Sequence, residues 1–117
     1  MSQQPGPDGS VQFRFGESLP TVVCAVLELV DIELQAGEVV NQVHLGDTER
    51  WKVDAAVSGN ADGTQTQHLI VKPADIGLST NLVVCTDRRT YHLALLSHER
   101  ELMHHVSFLY RRRGIAI

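Results

Sequence analysis

Residues 68–97 read HLIVKPADIGLSTNLVVCTDRRTYHLALLS, three apolar runs separated by two turn signals. The run His68 to Lys72 ends at Pro73, which has no amide hydrogen to give to a sheet, and Pro73 to Gly77 supplies turn chemistry. The β-branched run Thr80 to Cys85 follows, and then the charged turn Asp87-Arg88-Arg89. Beyond it Tyr91, Leu93 and Leu95 fall on one side of an extended chain while His92 and Ala94 fall on the other. That period of two is expected of a strand buried on one face. Two such runs joined by so short a link predict an antiparallel hairpin.

The same alternation recurs outward from this stretch. Val11, Phe13 and Phe15 alternate with Gln12 and Arg14, and Gly16 ends the run. Thr21 to Leu34 is apolar enough for a buried helix, yet six of its 14 residues are Val, Ile or Thr, which predicts one bent strand or two. Gln35-Ala36-Gly37-Glu38 is a turn. Val39, Val43 and Leu45 share a face on which Asn41 is a misfit. Trp51, Val53 and Ala55 alternate with Lys52 and Asp54, which makes Trp51 a core anchor whose indole N–H needs a carbonyl. Ser58 to Thr66 is polar and without periodicity, a mobile loop by composition. Ser97 to Glu101 suits a helical turn, and Val106, Phe108 and Tyr110 share one face of a closing strand. Seven or eight short strands with turns every eight to twelve residues predict an all-β fold, an antiparallel sandwich or barrel.

With 117 residues the chain can form one core without a metal or a disulfide. Ten Lys and Arg against 14 Asp and Glu leave a formal charge of −4, the wrong sign for a domain that grips a phosphate backbone. No apolar run approaches the roughly 20 residues of a membrane helix. The opening MSQQPGPDGS has neither the basic nor the apolar region of a signal peptide, so residues 1–10 are expected to be a disordered lead-in or an expression scar. Residues 11–110 are the expected domain, and 111–117, with Arg111-Arg112-Arg113, a basic tail or the start of a linker.

Catalytic chemistry finds no foothold. There is no G-x-S-x-G elbow and no Gly-rich phosphate loop. His98, His104 and His105 are the nearest set of metal-capable residues, but neighbours on a strand point to opposite faces. No metal and no cofactor is expected. Cys24 and Cys85 sit inside apolar runs, where a thiol acts as a small hydrophobe. The one set of polar residues suited to contact is Asp87, Arg88 and Arg89, since a hairpin tip projects and two guanidiniums can pair with a neighbour's carboxylates.

Several pieces in fixed order carry a family resemblance: GEVVNQVHLGDTERW at 37–51, HLIVKP at 68–73 and TDRRTYHL at 86–93. Together they resemble the amino-terminal domain of the TrbG/CagX family, proteins of the outer-membrane core complex in bacterial conjugation and type IV secretion. The resemblance implies an immunoglobulin-like β-sandwich in a periplasmic, exported protein, without enzymatic activity. It implies a module in a ring that conducts DNA or protein, with copies of itself and an inner-membrane-anchored scaffold as partners. A small outer-membrane lipoprotein would be held mainly through a second domain absent from this chain, so the chain is expected to be one domain of a longer protein. The oxidising periplasm would permit a Cys24–Cys85 disulfide, closing a loop worth roughly 4 kcal/mol. An alternative is a free-standing periplasmic or extracellular binding module. Against it stands the inward placement expected of Phe13, Phe15, Trp51, Tyr91, Phe108 and Tyr110, which leaves no exposed stacking platform. The isolated domain is expected to be a monomer or a weak oligomer.

Overall fold

A computed structural model describes residues 3–5, 10–17 and 19–110. In chain order the strands are β1 (Gln3–Pro5), β2 (Val11–Arg14), β3 (Thr21–Ala25), β4 (Val30–Glu33), β5 (Val40–Leu45), β6 (Trp51–Gly59), β7 (Gln65–Pro73), β8 (Ser79–Thr86), β9 (Thr90–His98) and β10 (His105–Leu109). They form a six-stranded sheet in the order β1-β2-β10-β4-β7-β6 and a four-stranded sheet in the order β3-β9-β8-β5. Inward residues of the two sheets meet in one core. Tyr91, Leu93 and Leu95 of β9 and Leu82 and Val84 of β8 face Ile32, Leu69, Val71, Val106 and Phe108, all buried. The β-sandwich expected from the alternation is therefore present.

Its sheets are mixed rather than wholly antiparallel. The local hairpins β6–β7 and β8–β9 are antiparallel, but β10 runs parallel to both β2 and β4, and β3 runs parallel to β9. Parallel neighbours arise where the chain crosses from one sheet to the other instead of turning back on itself. The stretch Thr21 to Leu34 makes such a crossing. It is two strands, β3 in the small sheet and β4 in the large one. Between them Leu27 adopts a left-handed φ of 61° and its N–H donates to the Pro73 carbonyl at 3.2 Å.

Three further expectations are corrected. On β5 the core-facing residue is Val40 rather than Val39, which is exposed, because Val40 pairs with Thr86 and Gln42 with Cys85. Asn41 is the extra residue of a β-bulge, and the bulge resets the alternation. Ser58 to Thr66 is largely ladder: β6 and β7 pair as far as Gly59 and Gln65, and the turn closes with Asn60 N–H on the Thr64 carbonyl at 2.9 Å. The polar composition there reflects a hairpin end whose strand β6 is exposed on both faces. Ser97 to Glu101 forms no helical turn; β9 continues to His98, and the amides of Arg100 and Glu101 lie 3.4 Å from His98 Nδ1. The six inward aromatics are all buried or packed against the core. Trp51, however, is buried with its Nε1 lacking a hydrogen-bond partner among the described residues, since the ring lies in an apolar layer between sheets. The backbone of Gln3–Pro5 pairs antiparallel with β2. Ser10 is buried, while residues 1, 2 and 6–9 of the expected lead-in and the basic tail 111–117 lie outside the described residues.

Candidate assembly surface

The β8–β9 turn carries Asp87, Arg88 and Arg89 at one end of the sandwich, next to the turn that follows β4. Asp87 and Arg88 are exposed, and Arg89 is half-buried. Each is engaged within the domain. Asp87 Oδ1 accepts the Val39 N–H at 2.9 Å, and its own N–H donates to the Val39 carbonyl at 2.9 Å, pinning the tip to the start of β5. Arg88 Nη1 donates to Gln35 Oε1 at 2.9 Å and to the Ala36 carbonyl at 3.1 Å. The turn passing beneath it needs Gly37: its φ is 83°, and a Cβ there would stand 3.0 Å from Arg88 Nη2.

Arg89 turns inward to Glu38, whose side chain is fully enclosed. Arg89 Nη1 reaches Glu38 Oε1 at 2.9 Å and Nη2 reaches Gln35 Oε1 at 3.0 Å. Thr86 Oγ1 donates to Glu38 Oε2 at 2.5 Å, and Tyr91 O–H donates to Glu38 Oε1 at 2.7 Å. The hydroxyls of Tyr91 and Tyr110 are 2.8 Å apart. The guanidinium also lies over aromatic faces, 4.1 Å from the Tyr110 ring centre and 5.5 Å from that of Phe15. Burial alone would favour neutral Arg89, but the Tyr91 hydrogen bond and the Glu38 charge outweigh it and hold its pKa above the ordinary value. Burial likewise pushes the Tyr91 phenol well up, and the Tyr110 phenol up to about 12. The cluster is thus a charge pair sealed by hydrogen bonds, with no activated nucleophile or base facing solvent.

The turn does bring the three expected residues together, while Gln35, Glu38, Thr86, Tyr91 and Tyr110 join them without having been singled out. Glu38 was the legible one: a carboxylate between a glycine and the apolar pair Val39-Val40. The two cysteines are free, and the bridge that an oxidising periplasm would permit is not formed in this fold. Strand β9 lies between theirs; Cys24 stands opposite Ser97 and Cys85 opposite Thr90, positions about 23 Å apart along a strand. Burial pushes the Cys24 thiol up to about 12. The histidines are spread: His104 is exposed, His105 Nε2 pairs with Glu33 Oε1 at 2.8 Å, and His68 sits between Asp31 Oδ1 at 2.8 Å and Ser58 Oγ at 2.7 Å. Among the described residues no three metal-capable side chains form a group. Beside the cluster lies a mostly apolar cavity of about 250 Å³ lined by Phe15, Leu19, Pro20, Tyr91, Leu93 and Phe108.

The chain is 56% identical over 105 residues to the "Probable conjugal transfer protein TrbG" of Sinorhizobium fredii, which covers 90% of this chain and 38% of that protein. The chain therefore spans well under half the length of this relative. Its fold is similar to the crystal structure of the cysteine protease inhibitor EhICP2 from Entamoeba histolytica, with a TM-score of 0.54 and 14% identity over 74% of this chain and 93% of that one. At that identity the likeness concerns the fold alone. The model of the CagX family, described as conjugal transfer protein, matches residues 9–115, and the chain belongs to that family.

Proposed function

We propose that the domain is a structural module of a conjugal transfer or type IV secretion machine, built into the periplasmic ring of the outer-membrane core complex. Its partners in that reading are copies of itself and an inner-membrane-anchored scaffold. A small outer-membrane lipoprotein would be bound mainly by a part of the protein beyond this stretch. The domain acts by holding position in a conduit for DNA or protein and catalyses nothing.

The observation that carries this reading is where the family-like segments meet. Gly37 and Glu38 come from one, Thr86 to Tyr91 from another, and they converge in a single cluster at one end of the sandwich. Packing that fixes a turn this firmly makes a rigid platform, with Asp87 and Arg88 on its exposed rim. Such a rim is what an assembly contact needs.

The test is a photo-crosslinking residue in place of Arg88 in the full-length exported protein, with adducts identified by mass spectrometry from cells. Adducts with the protein's own copies or an inner-membrane scaffold are expected. Adducts confined to unrelated soluble proteins would favour a free-standing binding module instead, and absence of any adduct would remove the tip from the assembly surface.

A further inference from the structure

We propose that the open edge of β6 pairs antiparallel with β6 of a second copy, about a two-fold axis through Val53. Among the described residues, strand β6 ends the large sheet, with β7 as its one neighbour. Its register against β7 is unbroken from Trp51↔Pro73 to Gly59↔Gln65. The pairs at either end of this ladder fix its phase. Ala74 N–H donates to the Arg50 carbonyl at 2.7 Å and Asn60 N–H to the Thr64 carbonyl at 2.9 Å, so the even-numbered residues of β6 bond to β7. The N–H and C=O groups of Trp51, Val53, Ala55, Val57 and Gly59 consequently point away from the sheet. Pro73, opposite Trp51, lacks an amide where none is required.

The other edges are blunted in ways β6 is not. Strand β1 is three residues and ends in Pro5, β3 is five residues, and β5 is broken by the bulge at Asn41. Strand β6 runs nine residues with neither proline nor bulge.

Charge selects the occupant and the register. Lys52 lies directly opposite Lys72 on the outer face, a like-charge cross-strand pair, and among the described residues neither has a carboxylate within ion-pair distance. Such a pair is destabilising and is relieved by an acid on the next strand out. In an antiparallel pair centred on Val53, Asp54 of the second copy stands opposite Lys52, and the two-fold repeats the contact. The inner face then sets Val53 against Val53 and Trp51 against Ala55, covering an exposed alanine. Centring on Asp54 would oppose two carboxylates, and centring on Ala55 would leave Lys52 facing Ser58. A two-fold contact closes at two copies, so this pairing stands apart from the ring contact. Five paired residues on each side bury less than a stable dimer requires, so the association is weak and concentration-dependent.

The experiment is sedimentation equilibrium of the 117-residue chain from micromolar to millimolar concentration, with charge-reversed variants at exposed positions. The expected result is a monomer–dimer equilibrium that weakens at least about tenfold in Lys52→Glu and in Asp54→Lys and returns in the double variant. Hydrogen exchange gives a second reading: the Val53 and Ala55 amides gain protection with concentration while those of Lys52 and Asp54, already bonded to β7, do not change. A chain monomeric throughout, a dimer indifferent to the single reversals, or a double variant as weak as either single one would overturn the proposal.

Discussion

Arg89 is the cation that makes a fully buried Glu38 tolerable, and this decides how the two arginines of the turn differ. Removing one member of a buried pair strands the other charge without water or partner. Arg89→Ala is therefore expected to destabilise the domain by about 3 to 5 kcal/mol, the lower end applying if Thr86 and Tyr91 still serve the carboxylate. Arg88→Ala removes bonds made at the surface and is expected to cost about 1 kcal/mol or less. Urea unfolding of the two variants measures both, and equal losses would show that the inward ion pair is not what holds the turn. Of the two guanidiniums expected to project from the hairpin tip, Arg89 turns inward to Glu38 and Arg88 stays on the exposed rim. Period-two patterning tells which residues point inward only if they are apolar. Glu38 breaks the pattern, and its burial depends on an arginine 51 residues away. The orphaned indole N–H of Trp51 is a similar case: alternation gives the direction of the ring, while the surroundings of one nitrogen are set by tertiary packing.

At the scale of elements, what was legible was what is local. The bounds of β7, β8 and β9 follow from Pro73, Gly77 and the Asp87-Arg88-Arg89 turn, and the β8–β9 hairpin follows because those two partners are neighbours in sequence, whereas the pairing of β7 with β4 and of β9 with β3 does not. The parallel pairing of β10 with β2 joins residues some 95 positions apart, such as Val106 and Val11, and no short-range pattern encodes it. The β5 strand lies between these cases. Asn41 already stood out as a misfit, but the alternation could not tell a polar lapse from an inserted residue. With Asn41 deleted, Val40 still meets Thr86 and Gln42 still meets Cys85, now as consecutive ladder pairs. The deletion is expected to leave thermal stability within about 1 kcal/mol of the parent while flattening a protected edge, so light scattering at high concentration should rise. A deletion variant that fails to fold would mean that the bulge is needed to present Glu38 and Val40 to the interior together.

For the molecule as a whole, the two sheets enclose three groups that are neutral at ordinary pH and resist ionising. Burial raises Cys24 from 9.0 to about 12 and Tyr110 from 10.0 to about 12, and it raises Tyr91 further still, with Tyr110 adding to the effect. Unfolding frees all three to lose protons at their ordinary values. Since the folded pKa values are the higher ones, their contribution to stability is complete below about pH 9 and declines as pH rises toward the folded values. Near pH 11 the unfolded chain has lost protons that the folded chain retains, so each group removes about 1.4 kcal/mol per pH unit and the three together about 4. Urea titrations from pH 8 to 11.5 should therefore show a plateau and then a steep fall, with Tyr110→Phe flattening the fall by one group's share. The chain has only two tyrosines, both in the cluster, so tyrosinate absorbance reports on nothing else. In the folded protein it should appear more than one pH unit above its position in the urea-unfolded chain. Coincident titrations would mean that water reaches both phenols, and the enclosure of Glu38 by Thr86, Arg89 and Tyr91 would then be open on the timescale of the measurement.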